Sequence, residues 1–209
     1  MPSRPAPRRP ASSPPPREVR IIAGQWKRTK LPVADRPGLR PTMDRVRETL
    51  FNWLGQDLEG WRCLDAFAGT GALGFEAASR GAAEVLMIER DATLRAGLES
   101  VKARLSADAV QVLSTDALRW MQRAAPARFE LVLLDPPFDA GVFDAALAAA
   151  APLLVDGGLL YLEADRRLDD EAQLAALSLL PHRHGSAGSV HYHLFRRAAA
   201  DSVAPRSPA

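Results

Sequence analysis

The stretch of the sequence with the clearest chemical content is "LDAFAGTGALGFE", Leu64 to Glu76. From Gly69 it matches G-x-G-x-x-G, whose glycines let a strand-to-helix turn approach the pyrophosphate of a dinucleotide. From Asp65 it is D-x-x-x-G-x-G, with a carboxylate four positions before the first glycine. That carboxylate would repel a pyrophosphate but attract the cationic amino and sulfonium groups of S-adenosylmethionine. The stretch therefore favours S-adenosylmethionine and leaves a nicotinamide-dependent oxidoreductase open.

Two later acids fit the same nucleoside ligand. Glu89 ends the apolar run "VLMIE", 18 positions after Gly71, where an acid can accept hydrogen bonds from ribose hydroxyls. Asp116 closes "VLSTD", where it can accept a hydrogen bond from the adenine amine. Either acid alone could instead cap a helix. Together they predict the following cofactor-binding residues: Asp65, Phe67, Ala68, Gly69, Gly71, Glu89 and Asp116.

A second constellation, Asp135-Pro136-Pro137-Phe138, ends another apolar run. Two prolines fix φ and remove two backbone donors, so this corner offers only acceptors beside an aromatic ring. A planar nucleobase amine fits such a corner, because it can donate to Asp135 and to a backbone carbonyl while Phe138 stacks on the ring. The target base must then be unpaired or flipped out of its helix. The corner suits the amines of guanine and adenine equally.

The elements that position these residues alternate between apolar runs and helical patterns, which is typical of βαβ units. The pattern predicts strands at Arg62–Ala66, Glu84–Ile88, Ala109–Leu113, Glu130–Leu134, Gly158–Glu163 and Ser189–Phe195, and a weaker one at Leu180–His184. It predicts helices at Gly71–Ser79, Thr93–Leu105, Ala117–Arg123, Val142–Ala151 and Asp169–Leu177, and one in "MDRVRETLFNWL" with Thr42 as its N-cap. We expect an α/β fold with a doubly wound, seven-stranded, mostly parallel sheet and one antiparallel strand.

The charge is divided unevenly along the 209 residues. Met1–Arg47 has 12 Lys and Arg against 3 acids, a formal charge of +9, and the remainder has 15 against 22, a charge of −7. We predict a disordered Pro/Arg-rich leader at 1–17, a basic arm or hairpin at 18–41, a catalytic domain at 42–197 and a disordered tail at 198–209. A basic arm on an acidic body favours a nucleic-acid partner. The arm residues expected to contact it are Arg20, Trp26, Lys27, Arg28, Lys30, Arg40 and Thr42, although Trp26 could equally pack the arm onto the body.

Composition narrows the class of protein further. No run reaches the roughly 18 apolar residues of a membrane span, and no apolar core of a signal peptide follows the N-terminus, so we expect a cytoplasmic protein. The lone Cys63 lies in an apolar run and is predicted to pack in the core. The four histidines, His182, His184, His191 and His193, are predicted to lie on a solvated face and to bind no metal.

These motifs follow "RIIAGQWKRTKLP" and "GLRPTMDRVRETLFNWL", and over Val19 to Phe195 the chain resembles the bacterial small-subunit ribosomal RNA guanine-N2 methyltransferase D family. The resemblance implies methyl transfer from S-adenosylmethionine to the N2 amine of one guanine, in RNA of an assembling or assembled small subunit. We expect the protein to be a monomer. It implies that Asp135 to Phe138 hold the target base. It also implies that Arg40, in "RPT", reaches a phosphate or braces the active site. An adenine-N6 enzyme and a non-catalytic RNA-binding assembly factor remain alternatives.

Overall fold

The structure, a computed structural model, describes residues 18–33, 44–137 and 141–199. The strands of this part are β1 Glu18–Arg20, β2 Lys30–Pro32, β3 Arg62–Asp65, β4 Glu84–Ile88, β5 Val110–Leu113, β6 Phe129–Leu134, β7 Leu154–Ala164, β8 Leu179–Ala187 and β9 Val190–Arg197. The α-helices are α1 Asp44–Leu54, α2 Ala72–Ser79, α3 Ala92–Leu105, α4 Ala117–Met121, α5 Phe143–Ala150 and α6 Glu171–Ala176. A short 3-10 turn, Ala151–Leu153, joins α5 to β7.

Seven strands form one sheet in the order β5-β4-β3-β6-β7-β9-β8. The strands β3 to β7 pair in parallel, and β9 runs antiparallel to both of its neighbours. The central strands are almost wholly apolar because helices cover both faces of the sheet. The predicted doubly wound, mostly parallel sheet with one antiparallel strand is therefore confirmed. The weaker strand predicted near Leu180 is longer than expected, Leu179–Ala187.

The sheet separates two apolar cores. On one face, side chains of α1, α2, α3 and the arm pack together, with Phe51, Phe75 and Tyr161 among the largest buried groups. On the other face, α4, α5 and α6 pack through residues such as Phe143 and Leu147. Cys63 is buried in the first core, where burial raises the pKa of its thiol and keeps it neutral, as predicted for a packing residue. In the described ranges no helix has both the length and the apolar character needed to cross a bilayer.

The described part of the arm, residues 18–33, is an antiparallel pair of β1 with β2. Its apolar side chains Val19, Ile21 and Leu31 are buried in the first core, so the arm is an integral part of the folded body. The turn between the two strands lies against α2, and a Cβ on Gly24 would lie 1.8 Å from the carbonyl oxygen of Ser79. Only glycine fits there, because φ at this position is also +79°.

The buried charges that hold the arm centre on Glu76 of α2, whose side chain is fully buried. Its Oε2 accepts a hydrogen bond from the backbone N–H of Ile22 at 2.6 Å, and its Oε1 accepts one from Ala23 at 3.0 Å. Nε of Arg80 donates to Oε1 at 2.8 Å, and Nη1 of Arg47 lies 3.7 Å from Oε2. Helix α2 begins directly after the glycine loop. The arm and the glycine loop are therefore both attached to α2.

Candidate active site

The glycine loop follows β3, the strand from which the sheet extends in both directions along its strand order. Connections from β3 lead to β4 on one side, and β6 lies on its other side, which is the place where open α/β sheets bind ligands. Gly69 and Gly71 have φ of 52° and 77°, which L side chains rarely adopt. A Cβ on Gly71 would also lie 2.6 Å from Leu98 and 2.7 Å from the ring of Phe75. The glycines therefore bring the backbone of this loop to the rim of the site.

Asp65, the last residue of β3, lies beneath this loop and is 1% exposed. The backbone N–H of Gly74 donates to its Oδ2 at 2.9 Å, which ties the strand to the first turn of α2. Gly74 is the third glycine of the motif, and a Cβ there would lie 2.6 Å from Cε of Met87 and 3.0 Å from Oδ2 of Asp65. Within the described chain, no donor hydrogen-bonds the buried Oδ1 of Asp65. That oxygen is the acceptor expected of a site for a cationic ligand.

The electrostatics of Asp65 agree with this interpretation. Burial raises the pKa of its carboxyl to about 7, and the negative charges of Asp135 and Glu89 contribute to the rise. A cation bound beside Asp65 would offset that repulsion and favour the ionised form. A positive charge bound beside Asp65 would therefore stabilise its ionised carboxylate.

Three of the remaining residues predicted to bind the cofactor lie in or next to the glycine loop. Glu89, half-buried, accepts hydrogen bonds from the backbone N–H groups of Gly69 at 3.0 Å and Asp91 at 2.8 Å. Ala68 is buried, and its carbonyl accepts from Gly71 at 2.6 Å, while Phe67 packs partly against the second core. Glu89 thus fixes the same loop that a ligand would touch.

Asp116 is exposed and caps α4, with its Oδ1 accepting from the backbone N–H of Arg119 at 2.9 Å. This is the helix-capping role that its position also allowed. A contact from its carboxylate to an adenine amine stays a prediction.

The proline corner continues β6 directly. Asp135 is half-buried, Pro136 is buried and Pro137 is exposed, while Phe138 lies outside the described residues. Leu133 of β6 pairs with Asp65 of β3, so Asp135 comes two residues beyond that pair and faces the same side of the sheet. The structure therefore brings the acid of the glycine loop and the acid of the proline corner to neighbouring strand ends.

Sequence reasoning missed two polar residues at this edge, Tyr161 and Glu163 of β7. The Tyr161 hydroxyl donates to Oε1 of Glu163 at 2.8 Å, and both side chains are buried. Burial, and then the negative charge of Glu163, raise the pKa of Tyr161 well above its ordinary value. The clue in the sequence was "LYLEA", where an acid ends an apolar strand as Asp65 and Asp135 do.

Four carboxylates thus lie on one face of the sheet at its carboxyl edge, and we call them the acidic row: Glu89, Asp65, Asp135 and Glu163. Alternation along each strand places them on the face of the first core, since Met87, Leu133 and Tyr161, each two residues before an acid of the row, pack there. The strand order β4-β3-β6-β7 fixes their sequence along the edge. The glycine loop borders the first two acids, and the proline corner begins at the third.

The basic residues of the arm have mixed surroundings. Arg20, Lys27 and Arg28 are exposed, and Lys30 pairs with Glu18 at 2.7 Å. Trp26 is half-buried and packs against the first core, with its backbone N–H bonded to Oγ of Ser79 at 2.9 Å. The other two candidates, Arg40 and Thr42, lie outside the described residues.

The prediction that the histidines lie on a solvated face is wrong for His193. Its ring is buried, stacks on Phe195, and accepts at Nε2 from the backbone N–H of Leu168 at 3.1 Å. Burial lowers the pKa of His193 to about 4, so it is a neutral packing group. Alternate side chains of β9 do point to opposite faces of the sheet, as expected. Helix α6 and the loop before it, however, cover the face that carries His193, which was expected to be open to solvent. Among the described residues, no group of three or more His, Cys, Asp or Glu is placed to hold a metal ion.

Comparison with known proteins identifies the family. The family model described as "Conserved hypothetical protein 95" matches residues 19–196. A relative from Escherichia coli (strain K12) named Ribosomal RNA small subunit methyltransferase D is 42% identical over 185 residues, which cover 87% of this chain and 91% of the relative. A Haemophilus influenzae relative of the same name is 37% identical over 186 residues, covering 86% of this chain and 94% of that one.

A solved structure agrees with the sequence relatives. The yhhF protein of Escherichia coli, at 40% identity, superposes with a TM-score of 0.76 over 87% of this chain and 99% of that chain. The parallel sheet, the glycine loop above the buried Asp65 and the proline corner beside it thus occur in a chain with named methyltransferase relatives along most of its length. The chain therefore belongs to the ribosomal RNA small subunit methyltransferase D family, and it is a methyltransferase.

Proposed function

We propose that the protein transfers a methyl group from S-adenosylmethionine to the exocyclic N2 amine of one guanine in small-subunit ribosomal RNA. The observation that carries this proposal is the acidic row, in which Asp65, beside the glycine loop, and Asp135, at the proline corner, end adjacent strands β3 and β6. One half of the row suits a cationic nucleoside and the other suits an amine. A donor and an acceptor of a methyl group would therefore meet at one edge.

The residues present fit the cofactor. The buried Oδ1 of Asp65 supplies an acceptor without a partner in the described chain, and the glycine loop gives a ligand close access to backbone groups. Glu89 would accept from the ribose and Asp116 from the adenine amine. When bound, the cofactor supplies an electrophilic methyl group on a sulfonium. Phe67 and Ala68 would form the wall of its pocket.

On the base side, Asp135 and the Pro136-Pro137 backbone would hold the guanine amine, with Phe138 against the ring. The N2 lone pair is delocalised into the base, so hydrogen bonds that favour a pyramidal nitrogen raise its nucleophilicity. Transfer would replace the bond between the methyl group and sulfur by a bond to N2, with the electron pair left on sulfur, and the Asp135 carboxylate would accept the amine proton. The protein contributes positioning and electrostatics, without a covalent enzyme intermediate.

The arm is the expected RNA-binding surface. Arg20, Lys27 and Arg28 are exposed cations on a hairpin that is fixed to α2, so their positions relative to the glycine loop are set by the fold. Phosphate contacts from such groups supply affinity without sequence specificity. We expect Arg40 and Thr42 to act at the site or on the RNA, and the substrate to be an assembling or assembled small subunit. We also expect a monomer that acts in the cytoplasm.

The test is to incubate the protein with labelled S-adenosylmethionine and undermethylated small subunits, and then to identify the labelled nucleoside. N2-methylguanosine supports the proposal, whereas N6-methyladenosine would show that the acceptor corner serves adenine instead. Asp135→Ala should abolish incorporation while cofactor affinity stays within a few-fold. Retained incorporation in that variant would remove Asp135 from its assigned role. RNA binding without any label in the wild type would indicate a non-catalytic assembly factor.

A further inference from the structure

We propose that Glu163 accepts a hydrogen bond from N1–H of the target guanine and thereby excludes bases that have an acceptor at N1. This inference rests on the proposed guanine-N2 activity and assigns the residue that selects guanine. It concerns specificity, and it assigns Glu163 a contact with the substrate base.

Glu163 and Asp135 occupy equivalent positions on neighbouring strands. Strands β6 and β7 are parallel neighbours, and Leu134 pairs with Leu162. The next residue on each strand is Asp135 and Glu163, so the two acids stand side by side at the carboxyl edge. The backbones of neighbouring strands are about 4.8 Å apart, so the two side chains lie within reach of one edge of the same planar base.

The buried side chain of Glu163 is held by a hydrogen bond from Tyr161. The Glu163 side chain is 5% exposed, and the hydroxyl of the fully buried Tyr161 donates to Oε1 at 2.8 Å. Tyr161 and Glu163 are two residues apart on one strand, so the sheet itself sets their geometry. A carboxylate oriented in this way, already removed from water, loses little further hydration when a ring N–H binds to it. Each carboxylate oxygen can also accept more than one hydrogen bond.

Guanine and adenine differ at the base edge that would face Glu163. Guanine presents N1–H and the N2 amine as adjacent donors, so one carboxylate can accept from N1–H while a second acceptor site holds the amine. Adenine presents its amine beside N1, which is an acceptor with a lone pair. That lone pair would face the Glu163 carboxylate, and the juxtaposition of two acceptors in a buried site is unfavourable. Asp135 alone would accept either amine, so the discrimination falls to Glu163.

The experiment uses small-subunit particles whose RNA carries either guanine or 2-aminopurine at the target position. 2-Aminopurine keeps the 2-amine, has an acceptor at N1 and lacks O6, so the change in preference between the wild type and the Glu163 variant reports the proposed contact. Sites built to bind an N–H reject analogues that lack it strongly, and we expect wild-type kcat/KM to favour guanine by at least about 100-fold. Glu163→Gln offers an amide donor to the N1 acceptor and should reduce that ratio by at least about tenfold.

Two further variants complete the design. Tyr161→Phe removes the hydroxyl that orients Glu163 but keeps the ring, and the ratio should fall by a smaller factor, about threefold. Glu171→Gln changes an exposed acid on α6 and should leave the ratio unchanged. Cofactor affinity measured by calorimetry checks that each variant is folded, and Tyr161→Phe provides the comparison if Glu163→Gln does not fold.

The outcomes separate this inference from the proposed function. If the wild type forms N2-methylguanosine but Glu163→Gln, or Tyr161→Phe in its place, lowers both rates equally and leaves the ratio unchanged, Glu163 has no part in base selection and the inference is overturned. If the wild type forms no N2-methylguanosine, the proposed function itself fails. A ratio that shifts toward 2-aminopurine in Glu163→Gln supports both.

Discussion

The buried carboxylate of Glu76 makes the strongest single prediction about stability. Glu76→Ala removes the acceptor for the backbone N–H groups of Ile22 and Ala23, and it removes the carboxylate partner of Arg80. It also leaves Arg47, whose side chain is fully buried, without the nearby charge of Glu76. The perturbation therefore unpairs groups on three different parts of the chain.

The magnitude follows from the kind of groups left unpaired. Breaking a buried ion pair by removing one partner costs about 3–5 kcal/mol of unfolding free energy, since the other charge stays buried. The two orphaned backbone donors alone would cost about 1–3 kcal/mol each, although these costs overlap in one site and do not add fully. Arg47 keeps its contact with Asp44 at 2.6 Å and Arg80 keeps Gln56, which limits the loss. We expect a loss of about 4 kcal/mol.

Urea unfolding followed by circular dichroism measures this loss, with Glu18→Ala as the matched control. Glu18 pairs with Lys30 in the same arm at 2.7 Å, but both side chains are largely exposed. The control should lose less than about 1 kcal/mol. Glu76→Gln keeps an acceptor of the same shape and should fall between the two. A loss below about 1.5 kcal/mol in Glu76→Ala would refute the idea that these buried charges hold the arm.

Three further predictions concern the cofactor and the RNA. Because the pKa of Asp65 is raised to about 7 and a cation favours its ionised form, affinity for S-adenosylmethionine should rise about tenfold from pH 5.5 to 7, and Asp65→Asn should remove this dependence. Gly24→Ala introduces a Cβ 1.8 Å from the Ser79 carbonyl, so it should loosen the arm and lower RNA affinity several-fold while cofactor affinity changes little. Replacing Lys27 and Arg28 by alanine should weaken RNA binding and lower the slope of log K against log salt by about 1.4, if both contact single-stranded phosphates.

Each of these has its own check. Calorimetry gives the cofactor affinities, and a flat profile in the wild type over that pH range would contradict the role given to Asp65. The same raised pKa makes the Asp65 contribution to folding less favourable as pH rises from about 4 to 7, because the unfolded carboxyl ionises first. Hydrogen exchange at Ile22 and Ala23 reports arm loosening, and unchanged protection in Gly24→Ala would contradict it. Replacing Arg119 of α4 and Arg123, two residues after the end of that helix, is the charge-matched control for the RNA slope.

The fold could be predicted from the sequence because its strands carry continuous apolar runs and its glycines stand at strand ends. Asp65 and Asp135 could be found for the same reason, since each closes such a run. Glu76 could not be assigned, because its partners are backbone groups more than 50 residues earlier in the chain. His193 was misplaced because alternation along a strand shows two faces but does not show which face another element covers.

The pairing of β3 with β6 also sets the distance between the ends of these two strands. Their backbone hydrogen bonds keep the two strands about 4.8 Å apart. If the methyl donor binds at the end of β3 and the base at the end of β6, as proposed, this ladder of hydrogen bonds would fix the lateral separation of the two reactants. The base would then need to be delivered to the end of β6, and the sheet itself would supply the alignment across the two strands.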